Sequence, residues 1–128
     1  MNSDIAKRAL HCLGTPFRLY GRTPGVALDC VGLAGYAAEL VDLPHDYTFR
    51  GKFDEKICAY MEQNFSRLSG PVIEAGVIAL VECGPRQQHL MVKTADGWVH
   101  AHAGLGRVVH MAGVSPWAVL AAWRKMGD

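Results

Sequence analysis

Hydrophobic residues recur at helical spacing through the first half of the chain. Apolar side chains follow a 3.6-residue period in residues 3–13, just before Gly14, and again in residues 53–70, which predicts two helices. Between them, residues 31–43 are apolar at most positions, a pattern typical of a helix buried in the centre of a domain. Asp29 stands where the N-cap of this second helix is expected.

The second half of the chain has the pattern of short strands. Four runs rich in valine and other β-favouring or apolar residues are separated by Gly-Pro, Ala-Asp-Gly and Gly-Leu-Gly turn signals, and they are VIALVEC, HLMVKT, GWVHAHA and GRVVHMA. They predict an antiparallel meander. Near the end, Ser115 and Pro116 are an N-cap and N1 pair that predicts a short helix, with a final strand ending at Trp123-Arg124 as the alternative.

Helices first and strands afterwards predict an α+β fold, with N-terminal helices packed against a C-terminal antiparallel sheet. The chain has 128 residues, half of them apolar, a size and composition that favour one domain over residues 1–128. No repeat, linker or low-complexity segment interrupts it.

Charge and targeting signals exclude several function classes. Thirteen Lys and Arg residues against twelve Asp and Glu give a formal charge of +1, so nucleic acid is not expected as a partner. The N-terminus has no apolar run long enough for a signal peptide, and no segment has the length of a membrane span. We therefore expect synthesis in the cytoplasm. The four cysteines lack CxxC spacing, which favours free thiols.

Cys30 lies directly after Asp29, in the first turn of the predicted second helix. The unpaired N–H groups and the positive dipole end of a helix stabilise a thiolate and lower the pKa of its thiol. The position therefore predicts a nucleophile. A lone cysteine in an apolar helix is otherwise a small core residue. Acyl transfer by a thiolate also needs a histidine base and a partner that orients the base.

Two histidines in the strand-rich half are candidates for those roles. A hairpin around Ala95-Asp96-Gly97 would bring His89 and His100 side by side, so Cys30, His89 and His100 are the predicted catalytic constellation. His100 and His102 share the i, i+2 spacing of strand metal ligands, but no third ligand stands at a suitable distance. The sequence therefore predicts neither a metal nor another cofactor.

These segments resemble a known family. LGTPFRLYGRTPGVALDCVGL is similar to the aromatic, glycine-rich loop and the Asp-Cys-x-Gly-Leu helix start of NlpC-type peptidoglycan peptidases. HLMVKTADGWVHA resembles their base-histidine strand, hairpin and second histidine, and EAGVIALVE resembles the preceding strand. The arginine-bearing loop is most similar to the small peptidases encoded with phage tails and gene transfer agents.

The resemblance implies a papain-like fold in which Cys30 is the nucleophile, His89 the general base and acid, and His100 the residue that orients His89. It implies a peptidoglycan stem peptide as substrate, cut at the bond between γ-D-glutamate and diaminopimelate. It also implies incorporation in a virion or tail particle, with phage-tail or baseplate proteins as partners, for local penetration of the cell wall from the periplasm.

The resemblance further implies substrate-side residues. The aromatic position of the family falls near Phe17 or Tyr20, and Tyr20 is favoured because its hydroxyl could bind substrate. Arg22 is either solvated or binds stem-peptide carboxylates. Asp29 is also predicted to be a substrate-binding residue. Two other functions stay open: a catalytically silent structural or adaptor protein of a tail tip, and a papain-like amidase or acyltransferase, since an acyl-thioester can pass to water or to another nucleophile.

Overall fold

The computed structural model describes residues 2–44, 47, 55–72, 74–84 and 87–125. Three helices lie in these ranges: α1 (Asn2–His11), α2 (Cys30–Ala37) and α3 (Glu55–Asn64). None of the described helices is long and apolar enough to cross a membrane.

Eight strands accompany the helices. They are β1 (Arg22–Thr23), β2 (Ala27–Leu28), β3 (Phe65–Arg67), β4 (Ile78–Gly84), β5 (Gln87–Lys93), β6 (Gly97–His102), β7 (Arg107–Ala112) and β8 (Ala118–Lys125). Strands β1 and β2 form a separate ribbon in the loop before α2, and the other six form one antiparallel sheet in the order β3-β8-β4-β5-β6-β7. The predicted α+β class, with helices packed on an antiparallel sheet, is confirmed.

The predicted meander is also confirmed, because β4 to β7 are neighbours in chain order. The turn between β5 and β6 falls at residues 94–96, where the Ala-Asp-Gly signal predicts it. Helix α2 packs across the face of these two strands. The first residue of the buried helix therefore lies beside the strands that carry the histidines.

The end predicted for the second helix is wrong, because α2 ends at Ala37 rather than near residue 43. Glu39 has a φ of 55°. Its N–H donates to the Tyr36 carbonyl oxygen, and the N–H of Leu40 donates to that of Gly35. This is the Schellman arrangement, which closes a helix through one left-handed residue. Here a glutamate takes the place where glycine is usual.

Two other boundaries differ from the sequence prediction for one reason. The third helix ends at Asn64, and the next three residues form β3; its predicted start at residue 53 lies outside the described residues. The C-terminal helix is absent from residues 115–125, where β8 lies between β3 and β4. In both places, pairing with a distant strand overrides a local helical pattern. The alternative of a final strand is therefore the correct one.

The sheet separates two hydrophobic clusters. The larger one lies between the helices and the sheet and includes Cys30, Leu80 and Leu90. The smaller one covers the opposite face and is formed by Val77, Ala79, Val81, Met91, Trp98 and Ala122, with Trp117 and three other partly buried residues packed against it. Side chains of alternate residues thus enter different clusters, as in any strand that is covered on both faces.

Candidate active site

Cys30 is the first residue of α2, and its side chain is 1% exposed. Asp29 is the N-cap that the sequence predicts, because its Oδ1 accepts a hydrogen bond from the Gly32 N–H at 2.7 Å. The cap satisfies one of the free N–H groups of the first turn. It thereby fixes the backbone on both sides of the thiol.

The Asp29 carboxylate holds the preceding loop as well as the helix. It accepts hydrogen bonds from the Tyr20 N–H at 2.7 Å, from Arg22 Nη1 at 3.0 Å and from the Tyr47 hydroxyl. The residue is fully buried. The structure therefore places Asp29 within the scaffold of the loop, and its contact with substrate stays a prediction.

Arg22 lies in the same buried network. Its Nη2 donates to the Tyr47 hydroxyl at 2.8 Å and to the Pro44 carbonyl oxygen at 3.2 Å, and its guanidinium lies 5.6 Å from the Tyr47 ring centroid. Burial, followed by the hydrogen bond to Asp29, raises the pKa of Tyr47 above its ordinary value. The Arg22 guanidinium thus binds groups of the protein itself, and a contact with stem-peptide carboxylates stays a prediction.

Gly32 allows the loop to approach the helix. A Cβ atom at this position would lie 2.0 Å from the Gly21 carbonyl oxygen, a distance that no side chain tolerates. The glycine of the Asp-Cys-x-Gly segment is therefore required by packing between the first turn of α2 and the loop.

His89 and His100 lie together, as the hairpin predicts. Their rings are stacked, with centroids 5.3 Å apart and planes at 16°. The Trp117 indole meets both rings edge-on, at centroid distances of 5.3 Å from His89 and 5.5 Å from His100. One tryptophan therefore holds both imidazoles in place.

The two imidazoles are held by packing, without a hydrogen bond between them. Stacked rings do not direct an N–H at a ring nitrogen. His89 Nε2 and His100 Nδ1 are buried and have no hydrogen-bond partner among the described residues. Each ring therefore keeps a nitrogen with unused hydrogen-bonding capacity, a costly state for a buried polar atom.

The thiol and the imidazoles approach from different faces of the sheet. Leu80 pairs with Leu90, and both lie in the helix-side cluster with Cys30. Val81 pairs with His89, and Val81 lies in the opposite cluster. Because paired residues point to the same face, the His89 side chain leaves β5 on the side away from α2.

A gap in the sheet connects these two faces. Strands β5 and β6 pair through Val92 with Val99 and Lys93 with Trp98, close to their turn. A cavity of about 330 Å³ opens beyond this point, and its walls include Phe17, Cys30, Cys83, Gln88, His89, Ala101, His102 and Trp117. Cys30 and His89 therefore line one cavity, which the helix reaches from one side and the imidazole from the other.

The titration of these groups differs from the sequence expectation. Burial, and then the Asp29 carboxylate, raise the pKa of the Cys30 thiol far above its ordinary value, and backbone hydrogen bonds oppose this only in part. This direction opposes the thiolate that the helix position predicts. Burial, and then the neighbouring histidines, lower the pKa of His89 to about 4. Burial, and then His102, lower that of His100 to about 4. Burial thus favours the neutral thiol of Cys30 and the neutral imidazoles of His89 and His100.

The structure separates the two candidate aromatic residues. Phe17 lies in the cavity wall. Tyr20 is absent from the wall, and its hydroxyl donates to the Tyr47 carbonyl oxygen at 2.8 Å. The backbone of Tyr20 is left-handed, with a φ of 66°, and it presents its N–H to Asp29. Of these two residues, Phe17 is the one in the cavity wall, and a contact of either with substrate stays a prediction.

Sequence reasoning missed Trp117, Gln88 and Cys83 as cavity residues. Trp117 falls within the C-terminal helix that the sequence predicts, so it was not considered as a cavity residue. The Ser-Pro pair before it does mark a turn, because the Ser115 hydroxyl oxygen accepts a hydrogen bond from the Trp117 N–H at 3.1 Å. Gln88 and Cys83 carry no local signal, because their place in the wall depends on where the strands part. Within the described part of the chain, no group of three or more His, Cys, Asp or Glu side chains is arranged to hold a metal ion.

Comparison with known proteins agrees with this architecture. No family model and no curated protein sequence matches the chain. Among solved structures, NlpC1 and NlpC2 from Trichomonas vaginalis match 97% of it, with TM-scores of 0.67 and 0.73 and identities of 18% and 16%. The chain spans 44% and 46% of those two proteins.

A third solved structure matches this chain over nearly the whole length of both chains. The P60 domain of an M. avium subspecies paratuberculosis antigen matches 99% of this chain over 95% of its own length, with a TM-score of 0.61 and 17% identity. The α+β fold of the chain is therefore that of the papain-like NlpC/P60 domains.

Proposed function

We propose that the protein is a cysteine peptidase that cleaves peptidoglycan stem peptides at the bond after γ-D-glutamate. The observation that carries the proposal is the shared cavity: the thiol at the start of α2 and the half-buried imidazole of β5 line one space, in a fold of the NlpC/P60 type. Nucleophile and base need a common space in which the substrate carbonyl can reach both.

The first half of the reaction starts from neutral groups. The Cys30 sulfur attacks the carbonyl carbon of the scissile amide while His89 accepts the thiol proton. The tetrahedral intermediate then collapses, the C–N bond breaks, and His89 passes the proton to the departing amine. A thioester remains on Cys30. Because the pKa of the thiol is raised and that of the imidazole lowered, proton transfer accompanies the attack and does not precede it.

The second half releases the acid. His89 takes a proton from a water molecule, whose oxygen attacks the thioester, and it returns the proton to the Cys30 sulfur as the C–S bond breaks. His100 acts as a positioning residue that keeps the His89 ring in place through the stacked contact of 5.3 Å. Trp117 limits the movement of both rings from the side.

The experiment is cleavage of a defined stem tetrapeptide, L-alanyl-γ-D-glutamyl-diaminopimelyl-D-alanine, followed by mass spectrometry. Wild type and Cys30→Ser are compared with Cys83→Ser, a matched control that removes a second thiol from the same cavity wall. We expect wild type and Cys83→Ser to cleave, Cys30→Ser to be inactive, and His89→Gln to be slower by about 100-fold or more. Turnover by folded Cys30→Ser at the wild-type rate would refute the nucleophile.

One observation favours a second candidate, a catalytically silent structural or adaptor module. The His89 side chain leaves β5 on the face opposite to Cys30, and His89 and His100 are stacked without a hydrogen bond between them. Absence of cleavage by folded wild type, with no covalent adduct on Cys30, would establish this candidate.

The biological setting belongs to the same proposal. The likeness of the loop at residues 13–33 to the small peptidases of phage tails and gene transfer agents supports delivery by a tail particle. The chain would then open the wall locally from the periplasm, beside tail or baseplate proteins. Detection of the protein in purified tail particles by mass spectrometry tests this setting separately from the activity.

A further inference from the structure

The second histidine of the His100-x-His102 pair also belongs to the site, although the proposed reaction does not use it. His102 ends β6 and lies in the wall of the cavity that holds Cys30 and His89. Its ring centroid lies 5.3 Å from that of His100, with the planes at 56°. Since the His100 ring also contacts His89, the three imidazoles form a row with His100 in the middle.

The His102 end of this row is fixed by the turn that follows β6. The Leu105 N–H donates to His102 Nδ1 at 2.9 Å, and the Gly106 N–H donates to the His102 carbonyl oxygen at 2.8 Å. A neutral ring whose Nδ1 accepts a hydrogen bond carries its proton on Nε2. The ring of His102 is therefore held by a hydrogen bond, in contrast to the buried His100 Nδ1, which has no partner among the described residues.

Gly104 leaves room for the His102 ring. A Cβ atom at this position would lie 2.9 Å from His102 Cε1 and 3.3 Å from its Nδ1. The backbone of Gly104 does not have a positive φ. An alanine there would therefore displace the imidazole without straining the backbone.

Charge couples the row as well as contact. Burial, and then a positive charge on His102, lower the pKa of His100 to about 4. The pKa of His89 is lowered by burial, then by His100 and then by His102. The other charged or titratable groups that face the row or its cavity from α2, β4 and β7, among the described residues, are Cys30, Cys83 and Arg107, which pairs with His102. None of these groups is negative in acid.

We propose that His102 is a positioning residue, which fixes the His100 ring and through it keeps His89 in place for proton transfer. The inference rests on the proposed function, and it gives the second histidine of the pair a part in it. Loss of the His102 ring should loosen the base while leaving the nucleophile unchanged. A charge on His102 also keeps the other two imidazoles neutral in acid, and His89 accepts the thiol proton in that form.

The first test needs no catalysis. Imidazole ¹⁵N chemical shifts in NMR spectra at pH 5 give the protonated fraction of His100 in wild type and in His102→Gln, whose amide oxygen can still accept the Leu105 N–H. We expect the variant to raise this fraction at least about twofold, because a neighbouring like charge is gone. His11→Gln, which removes an exposed imidazole of α1, should leave it unchanged. An unchanged or lower fraction in His102→Gln would overturn the inference.

The kinetic test separates contact from charge, since Gly104→Ala moves the ring and keeps its charge. With the stem tetrapeptide, His102→Gln and Gly104→Ala should both lower kcat about tenfold and leave KM unchanged, because a positioning residue acts on proton transfer and not on binding. The acid limb of kcat/KM should move to higher pH in His102→Gln.

The two readouts distinguish this inference from the proposed function. Wild-type kcat in both folded variants would overturn the positioning role while leaving the peptidase intact. Absence of cleavage by wild type, with the rise in protonated His100 present, would refute the peptidase, while the coupling of His102 to His100 would stand.

Discussion

The two sides of the cavity are built differently. On the helix side, the Asp29 carboxylate is fully buried and accepts hydrogen bonds from the helix, the loop, Arg22 and Tyr47. On the strand side, His89 and His100 are fixed by ring contacts with each other and with Trp117, and each keeps an unpartnered buried nitrogen.

The two sides differ in whether their polar groups have all their hydrogen bonds. A buried charge with four hydrogen bonds defines one conformation, because every alternative leaves polar groups unsatisfied. Imidazoles held by packing alone keep nitrogens that can exchange a proton with a substrate or with a thiol. The Asp29 network therefore positions the backbone of Cys30, whereas the histidine pair is the part of the site that keeps nitrogens free for the proton transfers of the proposed reaction.

Breaking the scaffold should have the largest effect on stability. Asp29→Ala removes the acceptor of the network and leaves the partly buried Arg22 guanidinium without its anion. We expect the free energy of unfolding in urea to fall by about 3–5 kcal/mol, as for other broken buried pairs. Glu62→Gln is the control, since its pair with Arg67 is exposed and should contribute less than about 1 kcal/mol. Similar losses in the two variants would contradict the scaffold role.

Overpacking the loop contact should have the next largest effect. Gly32→Ala places a Cβ atom 2.0 Å from a backbone carbonyl oxygen, so the loop and the helix must separate, at a cost of about 1–3 kcal/mol. In Gly35→Ala the nearest atom, at 2.2 Å, is the end of the Leu43 side chain, which is flexible. Thermal unfolding should show a smaller loss in this control. A larger loss of stability in Gly35→Ala than in Gly32→Ala would contradict close packing between the loop and α2 at Gly32.

The histidine side is sensitive to acid. Burial lowers the pKa of His100 from 6.5 to about 4 in the folded chain, so the unfolded state holds more protons between these values. Stability contributed by the neutral ring is present above pH 6.5 and is lost as the pH falls to about 4. We expect a loss of about 3 kcal/mol over this interval.

Urea unfolding at several pH values measures this loss, and His100→Gln should flatten the dependence. His110→Gln is the control, since it removes another imidazole of the same sheet without touching the stacked pair. A dependence that persists unchanged in His100→Gln would show that the acid-sensitive groups lie elsewhere.

The smallest expected effect is a difference in the rates at which the cysteines of the free protein are alkylated. Because burial raises the pKa of Cys30 and leaves it 1% exposed, iodoacetamide at neutral pH should modify the half-exposed Cys58 and Cys83 first. Peptide mapping at short times gives the order. Fastest labelling of Cys30 would instead support the thiolate that its helix position predicts.

The sequence predicted those features that depend on local pattern. The meander from β4 to β7 and the turn at residues 94–96 follow from alternating apolar runs and turn residues, and the Asp29 cap follows from its place before an apolar helix. The order of helices and strands gave the α+β class. Each of these signals lies within a few residues of the feature that it predicts.

Features that depend on distant segments were predicted less well. Residues 65–67 continue a helical period but pair with the last strand, and the Ser-Pro pair before Trp117 begins a turn that leads into that strand. The dipole argument for Cys30 omitted burial and the adjacent Asp29 carboxylate, which together outweigh the helix N–H groups. The parting of β5 and β6, which creates the cavity, leaves no trace in either strand alone.

The most direct test of the shared cavity is covalent trapping. A γ-D-glutamyl peptide with a chloromethyl ketone in place of the scissile amide is incubated with wild type and His89→Gln, and the labelled residue is identified by peptide mapping. If Cys30 and His89 act in one cavity, wild type carries the label on Cys30 and His89→Gln reacts at least about 100-fold more slowly. Labelling of Cys83 in place of Cys30, or equal rates in both proteins, would contradict it.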